Sequence, residues 1–487
     1  MSVLAVGRAR VERRFETRTA VGVAALAASV AASAWIAVGA AGGTYLLQLP
    51  TSANPRWIDG PLRGLAGALG PHGLSVALAV LVAAYVVALG CAGAIPVRVT
   101  LGAVVLANVA FTLGPTLVST DVFGYVAYAR EAAVHGLNPY VAAPASIPHD
   151  PILQFVYWKG QPSPYGPLFT ILSLPLGVTS PMLALWSYKA LVGAASIALV
   201  MLAVAIARDR GVNPARAAVF VGINPVLLFY AVSGAHNDLL AALLVALAVL
   251  LVVRRREAAG GATAVAALAI KVTLGLALPF VIVGARRRGA AVRGIAVAFV
   301  AVGIPTLLLF GPHVLDQVHR IASERLFDTA FSGPDRLAAV LGTHIGPAIR
   351  LTCAAAALAV AVATIIWASR GGDWIAAAGW ALLALVWSIA SLAPWYLVWV
   401  LPLAAAGGSR SLRVAAVLAT LYLVAVHLPA LGGRPWLTPA ASAPARTTPL
   451  RNRKQDASRR PPGAIAPYCW SVTSRRITGG GCARVVE

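Results

Sequence analysis

The stretch TAVGVAALAASVAASAWIAVGAAG, Thr19 to Gly42, decides the fold class. It carries no charge, and it follows Arg8, Arg10, Arg13, Arg14 and Arg18. Such a run exceeds the ~7 to 15 residue core of a cleaved signal peptide and suffices to cross a hydrocarbon layer about 30 Å thick as a helix. The arginines ahead of it put its N-terminus on the cytoplasmic side. The same texture recurs along the chain: of 487 residues, 59% are hydrophobic and only 11% charged, with mean hydropathy +0.80. This composition argues against soluble globular and disordered classes and leaves an all-α polytopic membrane protein.

Lys and Arg number 39 against 16 Asp and Glu, a formal charge of +23. In a soluble protein that excess would point to nucleic acid. Here the arginines sit in short clusters between apolar runs, as in cytoplasmic loops, so the expected partner is the lipid bilayer and not nucleic acid. Cys91 and Cys353 fall within apolar runs and Cys469 and Cys482 near the C-terminus. No C-x-x-C or zinc-like spacing joins them.

Counting spans by charge parity outlines about 12 to 13 helices with outer-face loops. Residues 1–18 form a basic cytoplasmic N-terminus, 19–436 the transmembrane domain, and 119–167 a large outer loop. Parity holds only if the Pro-broken piece LFTILSLPLGVTSP does not cross, and only if the stretch around IKVTLGLALP is a broken hairpin. Residues 437–487 contain no apolar span and read as a basic, disordered tail. A frameshifted end that replaced native terminal helices would account for it, because parity puts its arginines on the outer side.

The outer side is where polar chemistry concentrates. Asp121 opens DVFGYVAYAREAAVHGLNPY where the third helix meets the interface, and a carboxylate there can accept a proton or bind a cation. Tyr125, Asn138 and Tyr140, with Trp158 and Tyr165 of WKGQPSPYGPLF, offer stacking faces and hydrogen-bonding tips suited to sugars. An interfacial aromatic belt is the alternative reading. His236, Asn237 and Asp238 of GAHNDLL share that side as a second wall, unless Asp238 is only a helix cap. Lys271 reads as the only cation well inside an apolar run, and would take an anion such as a lipid phosphate or pair with Asp238. Trp395 and Tyr396 of APWYLVW complete the set, while Arg320, Arg325 and Arg336 are outer-loop candidates for a phosphate. Nucleotide-binding and hydrolase motifs are absent from the sequence.

Taken together and in order, STDVFGYVAYAREAAVHGLNPY, SPYGPLF, GAHNDLL, IKVT and APWYLVW resemble the membrane-embedded GT-C glycosyltransferases. Within these the resemblance is to the actinobacterial polyprenol-phosphomannose-dependent α-1,6-mannosyltransferases, over about Val99 to Leu401. It implies a GT-C-like bundle in the bacterial plasma membrane with its active site on the outer face. It also implies Asp121 as catalytic base or near-site acid, polyprenyl-phosphate mannose as donor and a mannan glycolipid of lipomannan or lipoarabinomannan synthesis as acceptor. No cofactor is assigned by this reading, and a divalent cation is a candidate to share the charge stabilisation, with no ligands assigned. The competing classes are a transporter or flippase of polyprenyl-linked saccharides, an enzyme for another lipid-linked sugar, and an inactive scaffold. Sugar identity, initiation against elongation and oligomeric state are not decided by these residues.

Overall fold

In lipid, each backbone amide and carbonyl needs a partner within its own segment, and every regular element among the described residues is accordingly helical. The computed structural model describes residues 3–43, 49, 55–65, 67–318 and 328–431. These fall within one compact unit, Met1–Ala440. The second unit, Ala441–Glu487, the whole expected tail and the candidates Arg320 and Arg325 lie outside the described residues.

In chain order the α-helices are α1 (Val3–Ala41), α2 (Pro71–Cys91), α3 (Val97–Leu113), α4 (Asp121–Ala133), α5 (Pro167–Gly177), α6 (Pro181–Asp209), α7 (Pro214–Gly222) and α8 (Asp238–Val253). They continue as α9 (Glu257–Ile270), α10 (Leu278–Gly284), α11 (Arg288–Phe310), α12 (Gly333–Val340), α13 (Pro347–Ser369), α14 (Trp374–Ser388), α15 (Leu401–Ala406) and α16 (Arg410–Ala425). Helix starts follow local chemistry. Proline opens α2, α5, α6, α7 and α13, where its missing N–H has no partner to lose. Ser180, Asn213, Asp373 and Ser409 cap α6, α7, α14 and α16 by accepting first-turn amides, each worth about 1 kcal/mol.

Among the described residues, five helices are long and apolar enough to cross a membrane: Glu12–Ala41 of α1, then α2, α6, α11 and α13. A sixth arises if α7 and the π-helical turn Val226–Val232, bent by 46°, count as one span. Several expected spans are therefore divided into shorter apolar helices, and polar or Pro residues mark the breaks. At Asn224-Pro225, Asn224 Oδ1 accepts the Val226 amide at 2.9 Å and its Nδ2 donates to Thr420 Oγ1 at 2.9 Å, which satisfies the broken helix internally. At Lys271 the backbone is extended, and a 3₁₀ turn, Val272–Ala277, follows before α10. The break falls inside the anticipated hairpin. Helix α5 has 11 residues, about 16 Å, too short to cross.

The arginine-rich ends meet at one face, where Arg210 pairs with Asp373 at 2.8 Å and Arg254 with Asp209 at 2.7 Å. Helix α8 is 16 residues long, about 24 Å, so Asp238 at its start lies at the far end from Arg254. The core between these ends is built by α6 on α8 and α8 on α9, with α1 against α2 and α3 on the flank.

Candidate active site

Asp121 starts α4, and its amide donates to Ser119 Oγ at 3.1 Å. Its carboxylate keeps 20% side-chain exposure, and Oδ2 lies 3.5 Å from Nδ1 of the fully buried His236. That is a close polar contact, longer than a normal hydrogen bond. Burial alone would raise the Asp121 pKa, but His236, Lys271 and Ser119 outweigh it and hold the carboxyl below its ordinary value. The group is thus kept ionised at a place where solvent or a substrate can reach it.

His236 is closely packed. Its ring stacks on Trp395 with centroids 3.5 Å apart and planes 16° apart. Gly234 also lies against it, where an added Cβ would come within 2.5 Å of His236 Nε2. Between them Ala235 has φ of 54°, a left-handed conformation unusual for a residue with a side chain. Both ring nitrogens of His236, and Nδ2 of the equally buried Asn237, have no hydrogen-bond partner among the described residues. Buried polar atoms of this kind ordinarily find one, which marks this wall as built for a ligand group or water.

Asp238 does more than begin α8. Its Oδ1 accepts the indole N–H of Trp399 at 2.9 Å, and Lys271 Nζ lies 3.0 Å from the same oxygen. The ammonium also sits over the rings of Tyr396 and Trp399, 5.1 and 5.8 Å from their centroids. Those two rings stack at 4.8 Å. Lys271 is therefore caged by an anion and two aromatic faces, yet its side chain stays 18% exposed. The loop that leads into α5 docks on the same spot. The Gly166 amide donates to Ile270 O at 3.1 Å, and a Cβ on Gly166 would meet Ala269 O at 2.2 Å, so only glycine permits this approach.

Asp121, His236, Trp395, Tyr396, Lys271 and Asp238 thus form one chain of direct contacts. Other residues expected to face a sugar are engaged with protein. The Tyr125 hydroxyl accepts the Asn237 amide at 3.3 Å, and its ring packs edge-on to Tyr165, Phe169 and Tyr188. Asn138 donates to Phe310 O at 2.6 Å and accepts the Tyr140 amide at 3.1 Å. Tyr140 is fully buried, its hydroxyl bonded to Tyr165 O and Thr170. The hydrogen-bonding tips of these three are engaged by protein groups. Trp158 packs edge-on to Tyr157, and Tyr165 is half-buried between Tyr125 and Tyr128. Arg336 pairs with Asp335 at 3.3 Å and lies over Phe331.

Four features escaped the sequence. Lys189 is fully buried in α6, so Lys271 is not the only cation in an apolar run. Its position eight residues after Pro181 hid it among interfacial residues. Trp399 completes the lysine cage. Asp150 takes both Arg130 Nε at 2.9 Å and His135 at 2.7 Å, and these contacts, stronger than the burial that opposes them, hold its carboxyl below the ordinary value. Glu131, one residue on, is buried with neither carboxylate oxygen bonded among the described residues, and burial pushes it up to about 8. Helix α4 is not among the apolar spans. Among the described residues no group of three or more His, Cys, Asp and Glu could hold a metal ion, and no step is derived through one.

The multi-pass helical bundle thus holds a carboxylate, a buried histidine and a caged lysine at the end away from its arginines, and its family match places it among the glycosyltransferases. The chain belongs to the alpha-(1->6)-mannopyranosyltransferase family: the family's N-terminal domain profile matches residues 24–287, and a profile described as the MptB C-terminal domain matches 333–445. It is similar to alpha-(1->6)-mannopyranosyltransferase A of Mycobacterium tuberculosis, 27% identical over 349 residues that cover 64% of this chain and 67% of that protein. The protein of the same name from Corynebacterium glutamicum is 31% identical over 177 residues, 34% of either chain. That second alignment spans about a third of its relative. No solved structure matches.

Proposed function

We propose that the chain is an inverting glycosyltransferase that moves mannose from polyprenyl-phosphate mannose to the 6-hydroxyl of a mannan glycolipid, forming an α-1,6 linkage in lipomannan and lipoarabinomannan synthesis. The site would face the outer side of the bacterial plasma membrane. The observation that carries this reading is the partly exposed Asp121 carboxylate beside the buried His236. The acceptor O6 forms a bond to the anomeric carbon while the bond from that carbon to the donor phosphate oxygen breaks. The O6 proton passes to Asp121, and polyprenyl phosphate leaves with the bonding pair. Lys271, held in place by Asp238, is suited to the charge that grows on the departing phosphate. Orientation of the two substrates supplies much of the remaining rate. A transport reading would use Lys271 as a mobile charge, and its cage of Asp238, Tyr396 and Trp399 speaks against that use.

The test is transfer of radiolabelled mannose from polyprenyl-phosphate mannose to a synthetic α-1,6-dimannoside in membranes carrying the parent chain or Asp121→Ala at equal level. The parent forms product, and the variant is slower by about 10²- to 10⁴-fold, the usual worth of a general base. Equal rates would remove Asp121 from the role. Product from neither chain would refute the transferase reading.

A further inference from the structure

We propose that Lys189 is a positioning residue that sets Asp121 opposite His236 by clamping the two backbone segments that carry them. Its catalytic consequence rests on the function proposed above, whereas the clamp itself does not. Lys189 Nζ donates to Pro115 O at 3.3 Å and to Ser233 O at 3.2 Å, and the side chain is fully buried. Among the described residues no carboxylate pairs with it. Pro115 lies in the linker from α3 to Asp121, and Ser233 lies three residues before His236. The same Ser233 carbonyl accepts the Leu117 amide at 3.3 Å. One ammonium and one carbonyl thus knot together the two segments, which are over a hundred residues apart in sequence.

Strain shows what the knot is for. Val118 has φ of 63° and Ala235 φ of 54°, each between the knot and the functional side chain that follows it. A left-handed β-branched residue is a true outlier, and such positions persist only where the surroundings over-determine them. Stability alone does not call for lysine here, because an apolar side chain would fill the same space without desolvating a cation. Two Nζ–H donors on two carbonyls instead give a directional hold on both strained turns.

The experiment compares hydrogen exchange of the full chain in lipid nanodiscs with that of Lys189→Met, which keeps length and loses every donor. Exchange should rise about tenfold or more at amides 117–121 and 235–238, as expected when two buried hydrogen bonds are lost, and stay unchanged in α16. Mannose transfer by the same samples should show kcat reduced about tenfold or more with the donor KM within about threefold. Unchanged exchange in both segments overturns the proposal, and so does a rise spread over the whole bundle. If Lys189→Met does not fold, Lys189→Gln, with one amide able to serve one carbonyl, should show an intermediate rise, and parental exchange in that variant is equally fatal. If the parent transfers no mannose while exchange rises only in the two segments, the clamp stands and the function above falls.

Discussion

Asp238→Asn separates the lysine cage from its anion with almost no change of volume. The parent carboxylate is 1% exposed and serves both Trp399 Nε1 at 2.9 Å and Lys271 Nζ at 3.0 Å. The amide can still accept from Trp399 through its oxygen, but it leaves Lys271 without a counter-charge. Breaking a buried pair costs about 3 to 5 kcal/mol. The 18% exposure of the lysine keeps part of its hydration, which places the expected loss near the lower figure, about 3 kcal/mol. At roughly 2 °C per kcal/mol for a large domain, the thermal midpoint in detergent should fall by about 6 °C. In the double variant Asp238→Asn with Lys271→Met no unpaired buried charge remains, so most of the loss should be recovered. A midpoint within about 1 °C of the parent, or a double variant no more stable than Asp238→Asn, would refute the reasoning.

His236→Gln removes the group that most strongly favours ionised Asp121, so the acid limb of the kcat/KM profile should move upward in pH relative to the parent. A limb that stays in place denies that His236 acts on Asp121. Gly166→Ala forces a methyl against Ala269 O, and transfer should drop at least about tenfold as the loop before α5 lifts from the Lys271 break; parental rates would show that the loop docks elsewhere. Glu131, whose pKa is raised from 4.5 to about 8, is accommodated neutral, so stability falls progressively as pH rises from about 4.5 to about 8, where the unfolded chain ionises and the folded one does not. Glu131→Gln should therefore raise the thermal midpoint at pH 9 by several degrees and leave it nearly unchanged at pH 5, as thermal scans at both pH values will report.

Much of the architecture follows from local pattern. The apolar run after Arg18, the non-crossing α5 and the break at Lys271 are each readable because span length and charge bias act over a few neighbouring residues. Segmentation was harder to foresee. Asn224 ends its helix at no penalty only because Thr420 and Tyr85, from distant parts of the chain, take its amide. Tyr125 and Tyr140 illustrate the same limit, since an aromatic at an interface reads alike whether it lines a site or braces it.

By itself the sequence determined that the chain is a helical membrane protein, which end of each helix is rich in arginine, and which short motifs carry polar chemistry away from that end. Tertiary structure alone decided that Asp238 faces Lys271 and Trp399, that Gly234 and Trp395 hold His236 against Asp121, and that Lys189 ties Pro115 to Ser233. The reason is physical. Hydropathy and charge bias are properties of a segment in its solvent. A hydrogen bond between groups 44 to 161 positions apart exists only once packing has brought their helices together, and no local preference encodes that meeting.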